Sequence, residues 1–195
     1  MKRVLKIIQL NSNEQKLIEK ARKGSRDAQH KIYLQFSPKM LSVCRYYIKD
    51  IHYAEDVMIT AFYKVFKKIE TFKSEGSFEG WIRKIMVREC LSFIRSKKEI
   101  IFLENENDYP KEDFVLDKYH ELLEVEEIQV LIDALPDGYK SVFLLFAVEG
   151  YSHKEIALQL NIAESTSKSQ LFKARRVLQE NIKEFKNSNY ESQSS

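Results

Sequence analysis

Glycine and proline are scarce in this sequence of 195 residues, with five and three copies respectively. That scarcity argues against a turn-rich sheet protein, and abundant Lys, Glu, Leu and Ile favour helices. There are two cysteines, Cys44 and Cys90, each set among apolar residues. Two thiols without an export signal make no disulfide framework, so buried free thiols are expected. No apolar run approaches membrane-spanning length. The start, MKRVLKIIQL, lacks a small-residue cleavage pattern and reads as an N-terminal arm over 1–12. A soluble, cytoplasmic protein without membrane insertion is expected. Histidines 30, 52, 120 and 153 are scattered, with no metal-ligand spacing to the cysteines. A phosphate-loop glycine pattern is also lacking, so nothing points to an enzyme or to a bound cofactor.

What is present is a segregation of charge. Residues 99–127 hold eleven acids against Lys111 and Lys118, a local net of −9, while the whole chain is +3. A basic body with an acidic belt suits a polyanionic partner and a solvated connector. Helical periodicity runs over roughly 14–98 and fades through EIIFLENENDYPKEDFVLD, an acidic linker over 99–117. It returns near Lys118, stops at Leu135-Pro-Asp-Gly138, and resumes to about Phe185. The end, NSNYESQSS, is polar and expected to be a disordered tail over 187–195. The fold class is therefore all-α, with two small helical domains over 13–98 and 118–186.

In the second domain, Ser152 and Glu155 form an S-x-x-E capping box that starts one helix. Asn161 suits the left-handed backbone of a sharp turn, and Ser165 is a candidate cap for the next helix. Winding that helix at about 100° per residue groups Ser167, Leu171, Ala174 and Leu178 on a packing side. Thr166, Ser169, Lys173 and Arg176 fall opposite, flanked by Lys168, Phe172 and Arg175. Four cations and no acid occur from Ser165 to Arg176. Short polar residues followed by cations fit a helix that enters the major groove of a DNA duplex. A solvated basic helix in a bundle has the same composition.

In the first domain, AEDVMITAFYKVFKKIETF places Val57, Ala61, Phe62, Val65, Ile69 and Phe72 on one stripe. Asp56, Thr60, Tyr63 and Lys67 face away, with Ile59 at the edge as an apolar contact candidate. The following pattern has a core side of Ile82, Met86, Cys90 and Phe93. Its other side carries Trp81, Lys84, Arg88 and Arg95. Six cations stand against Glu89 over residues 81–98. Aromatics beside cations fit a single-strand nucleic-acid surface. The preceding loop, Phe72-Lys73-Ser74-Glu75-Gly76-Ser77-Phe78-Glu79-Gly80, has glycines for close backbone approach and Ser77 as a helix cap. It could receive an unstacked base, or Phe78 and Trp81 could simply close the core.

Taken with their order, AEDVMITAFYKVFKKI, GSFEGWIRKIMVRECLSFIR and LPDGYKSVFLLFAVEGYSHKEIALQLNIAESTSKSQLFKAR resemble bacterial sigma factors of the extracytoplasmic-function (ECF) type. The resemblance spans about Asn13 to Ile182. It implies a sigma-two domain, a linker and a sigma-four domain, and a factor that binds core RNA polymerase at its clamp helices and flap. It also implies recognition of the minus-ten and minus-thirty-five promoter elements and help in strand opening, with an anti-sigma factor as a further partner class. By this resemblance, Asp56, Ile59, Thr60, Tyr63 and Lys67 would meet polymerase. Phe72, Lys73, Ser77, Phe78, Trp81, Lys84, Arg88 and Arg95 would serve the minus-ten region. Ser165, Thr166, Lys168, Ser169, Phe172, Lys173, Arg175 and Arg176 would read the minus-thirty-five element. Arg88 stands where the family often has Asn. The competing expectation is a stand-alone helix-turn-helix regulator.

Overall fold

The computed structural model describes residues 12–97 and 125–193, which fall in two compact units. The expected arm before Ser12, the acidic linker and the helical pattern over 118–124 lie outside the described residues. Every regular element among those described is helical.

The first unit contains α1 (Ser12–Arg22), α2 (Arg26–Tyr47), α3 (Ile51–Lys68) and α4 (Phe78–Lys97). A single 3-10 turn, Ile69–Thr71, extends α3. Gly24, at φ 83°, makes the turn between α1 and α2. Ser25 then accepts from the Ala28 amide at 3.3 Å and starts α2. Asp50 starts α3 by accepting from the His52 and Tyr53 amides at 2.9 and 3.2 Å. The three long helices pack on one another, and α1 lies on α2. Met40, Ala54, Ala61, Val65, Ile82 and Met86 are fully enclosed between them. The alanines on α3 let its neighbours approach closely.

Cys44 on α2 and Cys90 on α4 are free and fully buried, as expected. A hydrogen bond with Cys44, and then burial, push the Cys90 thiol well above its ordinary range. These are unreactive packing thiols.

The second unit contains α5 (Val125–Asp133), α6 (Asp137–Phe143), α7 (His153–Leu160) and α8 (Glu164–Gln193), with α6 continuing as a π-turn over Leu144–Val148. The α8 helix is its hub, contacted by α5, α6 and α7. Leu135, Val142, Leu144, Leu145, Ile156, Leu160, Leu171 and Ala174 form the core. Between α5 and α6, Lys140 Nζ and Asp133 Oδ1 pair at 2.7 Å with side chains only 6% and 5% exposed.

The α8 helix is assigned over Glu164–Gln193, which takes in most of the span expected as a tail. Beyond Gly150 the chain has no glycine or proline to stop a helix already nucleated and packed upstream.

Candidate nucleic-acid interface

The loop after α3 is held at both ends. At its start, Arg22 of α1 donates Nε to the Ile69 carbonyl at 3.3 Å and a terminal nitrogen to the Phe72 carbonyl. At its end, Ser77 Oγ accepts from the Gly80 amide at 3.0 Å and caps α4. A Cβ added at Gly80 would meet that oxygen at 2.9 Å, so a larger residue at 80 requires the Ser77 side chain to shift. Between these ties the backbone turns through Ser74 and Gly76, at φ 58° and 110°. The result is an open cavity of about 370 Å³, lined by Thr71, Lys73, Gly76, Ser77, Trp81 and Lys84 among others.

The aromatics of the loop divide between anchoring and exposure. Phe72 and Phe78 are 4% and 0% exposed, so the expectation that both rings meet DNA is corrected. Phe78 packs edge-on against Phe36 with centroids 5.8 Å apart and stacks near-parallel with Trp81 at 5.6 Å. Phe72 lies 5.0 Å from Phe78 and 5.5 Å from Trp81. The physical reason is area: two phenyl rings in so small a unit are worth more inside the core than waiting in water. Trp81 remains half-exposed at the cavity wall, while Lys73, Ser77, Lys84, Arg88 and Arg95 are exposed as expected. Glu89 does not neutralise this basic face, because it turns to Lys64 of α3 and pairs at 2.6 Å. Arg95 folds back, donating Nε to the Leu91 carbonyl at 3.3 Å.

On α3, Asp56, Thr60 and Lys67 are exposed, and Ile59 and Tyr63 are 56% and 63% exposed. Lys67 Nζ sits 5.4 Å from the centre of the Tyr63 ring. The expected outward face is therefore present, with two large apolar groups in water.

In the second unit, Ser152 accepts from the Glu155 amide at 3.3 Å while Glu155 accepts from the Ser152 amide at 2.8 Å, a complete capping box. Asn161 ends α7 in the left-handed conformation, at φ 56° and ψ 51°. Two helices joined by a short turn are thus formed as expected. The second begins at Glu164, however, so Ser165 lies in its first turn rather than capping it.

The outward face of α8 is also rotated from expectation. Thr166 and Ser169 are 7% and 4% exposed, and Ser169 Oγ donates to the Thr166 carbonyl at 2.8 Å. The exposed arc carries Ser165, Lys168 and Arg176, with Phe172, Lys173 and Arg175 half-exposed. Relative to the sequence pattern, that is a turn of roughly 70° about the helix axis. The cause is packing on more than one side. Since α5, α6 and α7 all contact α8, its small polar residues are enclosed along with its apolar stripe. Lys168 pairs with Glu164 at 2.8 Å and Arg176 with Glu180 at 3.0 Å, both solvent-exposed. Exposed pairs of this kind are weak and exchange readily for a phosphate.

Sequence reasoning placed His153 at the capping box and did not find its role. Its Nδ1 lies 2.9 Å from Ser167 Oγ, bridging α7 to α8, and its ring stacks on Phe146 at 4.8 Å. The Arg175 guanidinium lies 5.7 Å from the centre of the same Phe146 ring. Burial, and then the Lys168 charge, hold the imidazole below its ordinary range.

Two family models match this chain: "Sigma-70 region 2" over residues 32–100, and "Sigma-70, region 4" over 125–178. Together the two matches make the chain a member of the sigma-70 family. It is 28% identical over 185 residues to ECF RNA polymerase sigma factor SigW of Bacillus subtilis, covering 87% of this chain and 96% of that one. It is 29% identical over 133 residues to ECF RNA polymerase sigma factor SigE of Mycolicibacterium smegmatis, covering 66% of this chain and 51% of that one. This sigma factor also shares its fold with the Bartonella quintana sigma factor RpoE, solved with the anti-sigma factor NepR. The TM-score is 0.50 at 21% identity, over 79% of this chain and 96% of that one. It acts in transcription initiation as a promoter-recognising factor. The loop and α4 fall inside the region 2 match, and the start of α8 falls inside the region 4 match.

Arg22, which braces the start of the loop, escaped sequence reasoning entirely. Its bonds to Ile69 and Phe72 span 47 and 50 residues, beyond any local pattern.

Proposed function

We propose that this sigma factor docks on the clamp helices of core RNA polymerase through the α3 face of Asp56, Ile59, Thr60, Tyr63 and Lys67, with the second unit meeting the flap. The loop cavity then captures an extruded base of the displaced strand at the minus-ten element. Trp81 offers it a stacking face, and Lys73, Lys84, Arg88 and Arg95 hold the adjoining phosphates. The exposed arc of α8, with Ser165, Lys168, Phe172, Lys173, Arg175 and Arg176, reads the minus-thirty-five duplex. Thr166 and Ser169 fix the helix in place, and Phe72 and Phe78 anchor the loop.

The observation that carries this proposal is the unneutralised basic surface of α4 beside a preformed cavity. Glu89 is tied to Lys64, which leaves Lys84 and Arg88 facing outward next to Trp81. Phosphate contacts supply affinity without sequence preference, and groups at base edges choose the site. Unstacking a base costs on the order of a few kcal/mol, which stacking on an aromatic of about 1–3 kcal/mol can offset in part. No covalent chemistry is required. The apolar pair Ile59 and Tyr63 also gives an anti-sigma factor a place to compete with polymerase.

Transcription in vitro with purified core polymerase, followed by mapping of the start sites, tests this directly. Specific transcripts that need both core enzyme and this factor are expected. A factor that footprints duplex DNA unaided and yields no transcripts with core enzyme would be a stand-alone regulator instead.

A further inference from the structure

The two bonds of Arg22 fall where α3 ends and the loop begins. Its Nε donates to the Ile69 carbonyl at 3.3 Å, and a terminal nitrogen donates to the Phe72 carbonyl. The same Ile69 carbonyl accepts from the Phe72 amide at 3.2 Å, and Thr71 Oγ1 donates to the Lys68 carbonyl at 2.7 Å. One guanidinium thus completes a set of donors on the last carbonyls of α3 and its 3-10 turn, where a helix end carries partial negative charge. Arg22 is itself well seated. Ile18 and Ala21, just before it on α1, are 3% and 1% exposed, and α1 packs on both α2 and the 3-10 turn.

The segment that follows does not hold its own shape. Residues 73–77 are exposed to water. Within them Ser74 takes φ 58°, a left-handed backbone that is costly for a residue with a side chain. Such a conformation persists where its surroundings over-determine it. Ser77 fixes the far end of the loop through the Gly80 amide, and Arg22 fixes the near end. The near tie also acts on Phe72, whose ring lies 5.5 Å from that of Trp81 at the cavity wall.

We propose that Arg22 is a positioning residue for base capture, holding the loop in its receiving shape before the displaced strand arrives and without touching that strand. The proposal rests on base capture by the loop and adds to it the group that preorganises the loop. A loop ordered in advance loses less freedom on binding, so the captured strand is held more tightly. The chemistry calls for arginine. Two carbonyls three residues apart are met at once by the planar fork of a guanidinium, whereas a lysine ammonium is a single point charge on a flexible stem.

The test uses holoenzyme assembled from this full-length factor and core polymerase. Its promoter DNA carries a fluorescent label and is made in two forms, a duplex kept cold so that it stays closed and a fork with a single-stranded non-template overhang. Arg22→Gln removes the fork and the charge, and Arg22→Lys keeps the charge alone. Weaker binding of the forked DNA is expected, by roughly tenfold for Arg22→Gln and roughly threefold for Arg22→Lys, with duplex binding unchanged. The dependence of log K on log salt should keep its wild-type slope in both variants. In the free factor, acrylamide should quench the Trp81 fluorescence of both variants more readily than that of the wild type. Full activity in Arg22→Lys, with the salt slope of Arg22→Gln reduced by about 0.7, would make Arg22 a phosphate contact and overturn the proposal. Unchanged binding of forked DNA by both variants, with Lys84→Gln still weakening it, would overturn the brace and leave capture by the loop standing. If Lys84→Gln were equally silent, both readings would fall. Variants that melt below the assay temperature, or that lose duplex and forked DNA equally, would make Arg22 a general folding residue and also overturn the proposal.

Discussion

Removing Asp133 should strongly destabilise the second unit while leaving the first intact. Lys140 Nζ sits 2.7 Å from Asp133 Oδ1, and both side chains are almost sealed from water. Replacing Asp133 with Ala leaves an ammonium without that counter-charge in the interior, which costs about 3–5 kcal/mol. A unit of roughly 70 residues holds about 3–10 kcal/mol in all, so the loss consumes a large part of its stability. The chain supplies its own control. Trp81, the single tryptophan of the sequence, belongs to the first unit, whereas far-ultraviolet circular dichroism reports both. In urea, Asp133→Ala should move a dichroism transition to much lower denaturant and leave the tryptophan transition in place. A double replacement, Asp133→Leu with Lys140→Met, should recover most of the loss, because apolar pairs of similar volume substitute well for buried ions. A shift below about 1 kcal/mol for Asp133→Ala would refute the reasoning, since an unpartnered charge at such depth could not be so cheap. So would movement of the tryptophan transition by the same amount.

Three further outcomes follow from the same physics. His153 is held below its ordinary value, so the unfolded chain protonates first as pH falls. Stability of the second unit is complete above about pH 6.5 and declines from there down through the lower folded value; His153→Gln should flatten that decline in denaturant midpoints. Cys90 and Cys44 should resist a thiol reagent such as Ellman's reagent in the native protein and react promptly in denaturant. Fast native labelling would contradict their burial. Arg176→Ala should lower the salt slope of duplex binding by about 0.9, whereas Ser169→Ala should alter unfolding rather than promoter discrimination. A changed base preference in Ser169→Ala would mean that α8 presents a different arc to DNA.

The capping box at Ser152, the left-handed Asn161, the Ser77 cap and the outward α3 face were legible because each depends on neighbours in sequence. Thr166 and Ser169 were misplaced because an apolar stripe defines one buried side, and α8 is covered on more than one. Polar residues small enough to pack carry no mark of burial in their own chemistry. Phe72 and Phe78 show the converse difficulty. Aromatics near glycines suit both stacking and core, and only the positions of Phe36 and Trp81 decide between them. Arg22 and the Lys140–Asp133 pair belong to tertiary geometry, where one of several available cations finds a partner that spacing alone does not name.

Gly80 carries a consequence for how such a factor can change. Its missing methyl leaves room for the Ser77 hydroxyl, so a larger residue there obliges the group that begins α4 to shift. Alterations at 77 and 80 are thus coupled, whereas the exposed positions 73, 75 and 84 can vary without disturbing the start of α4.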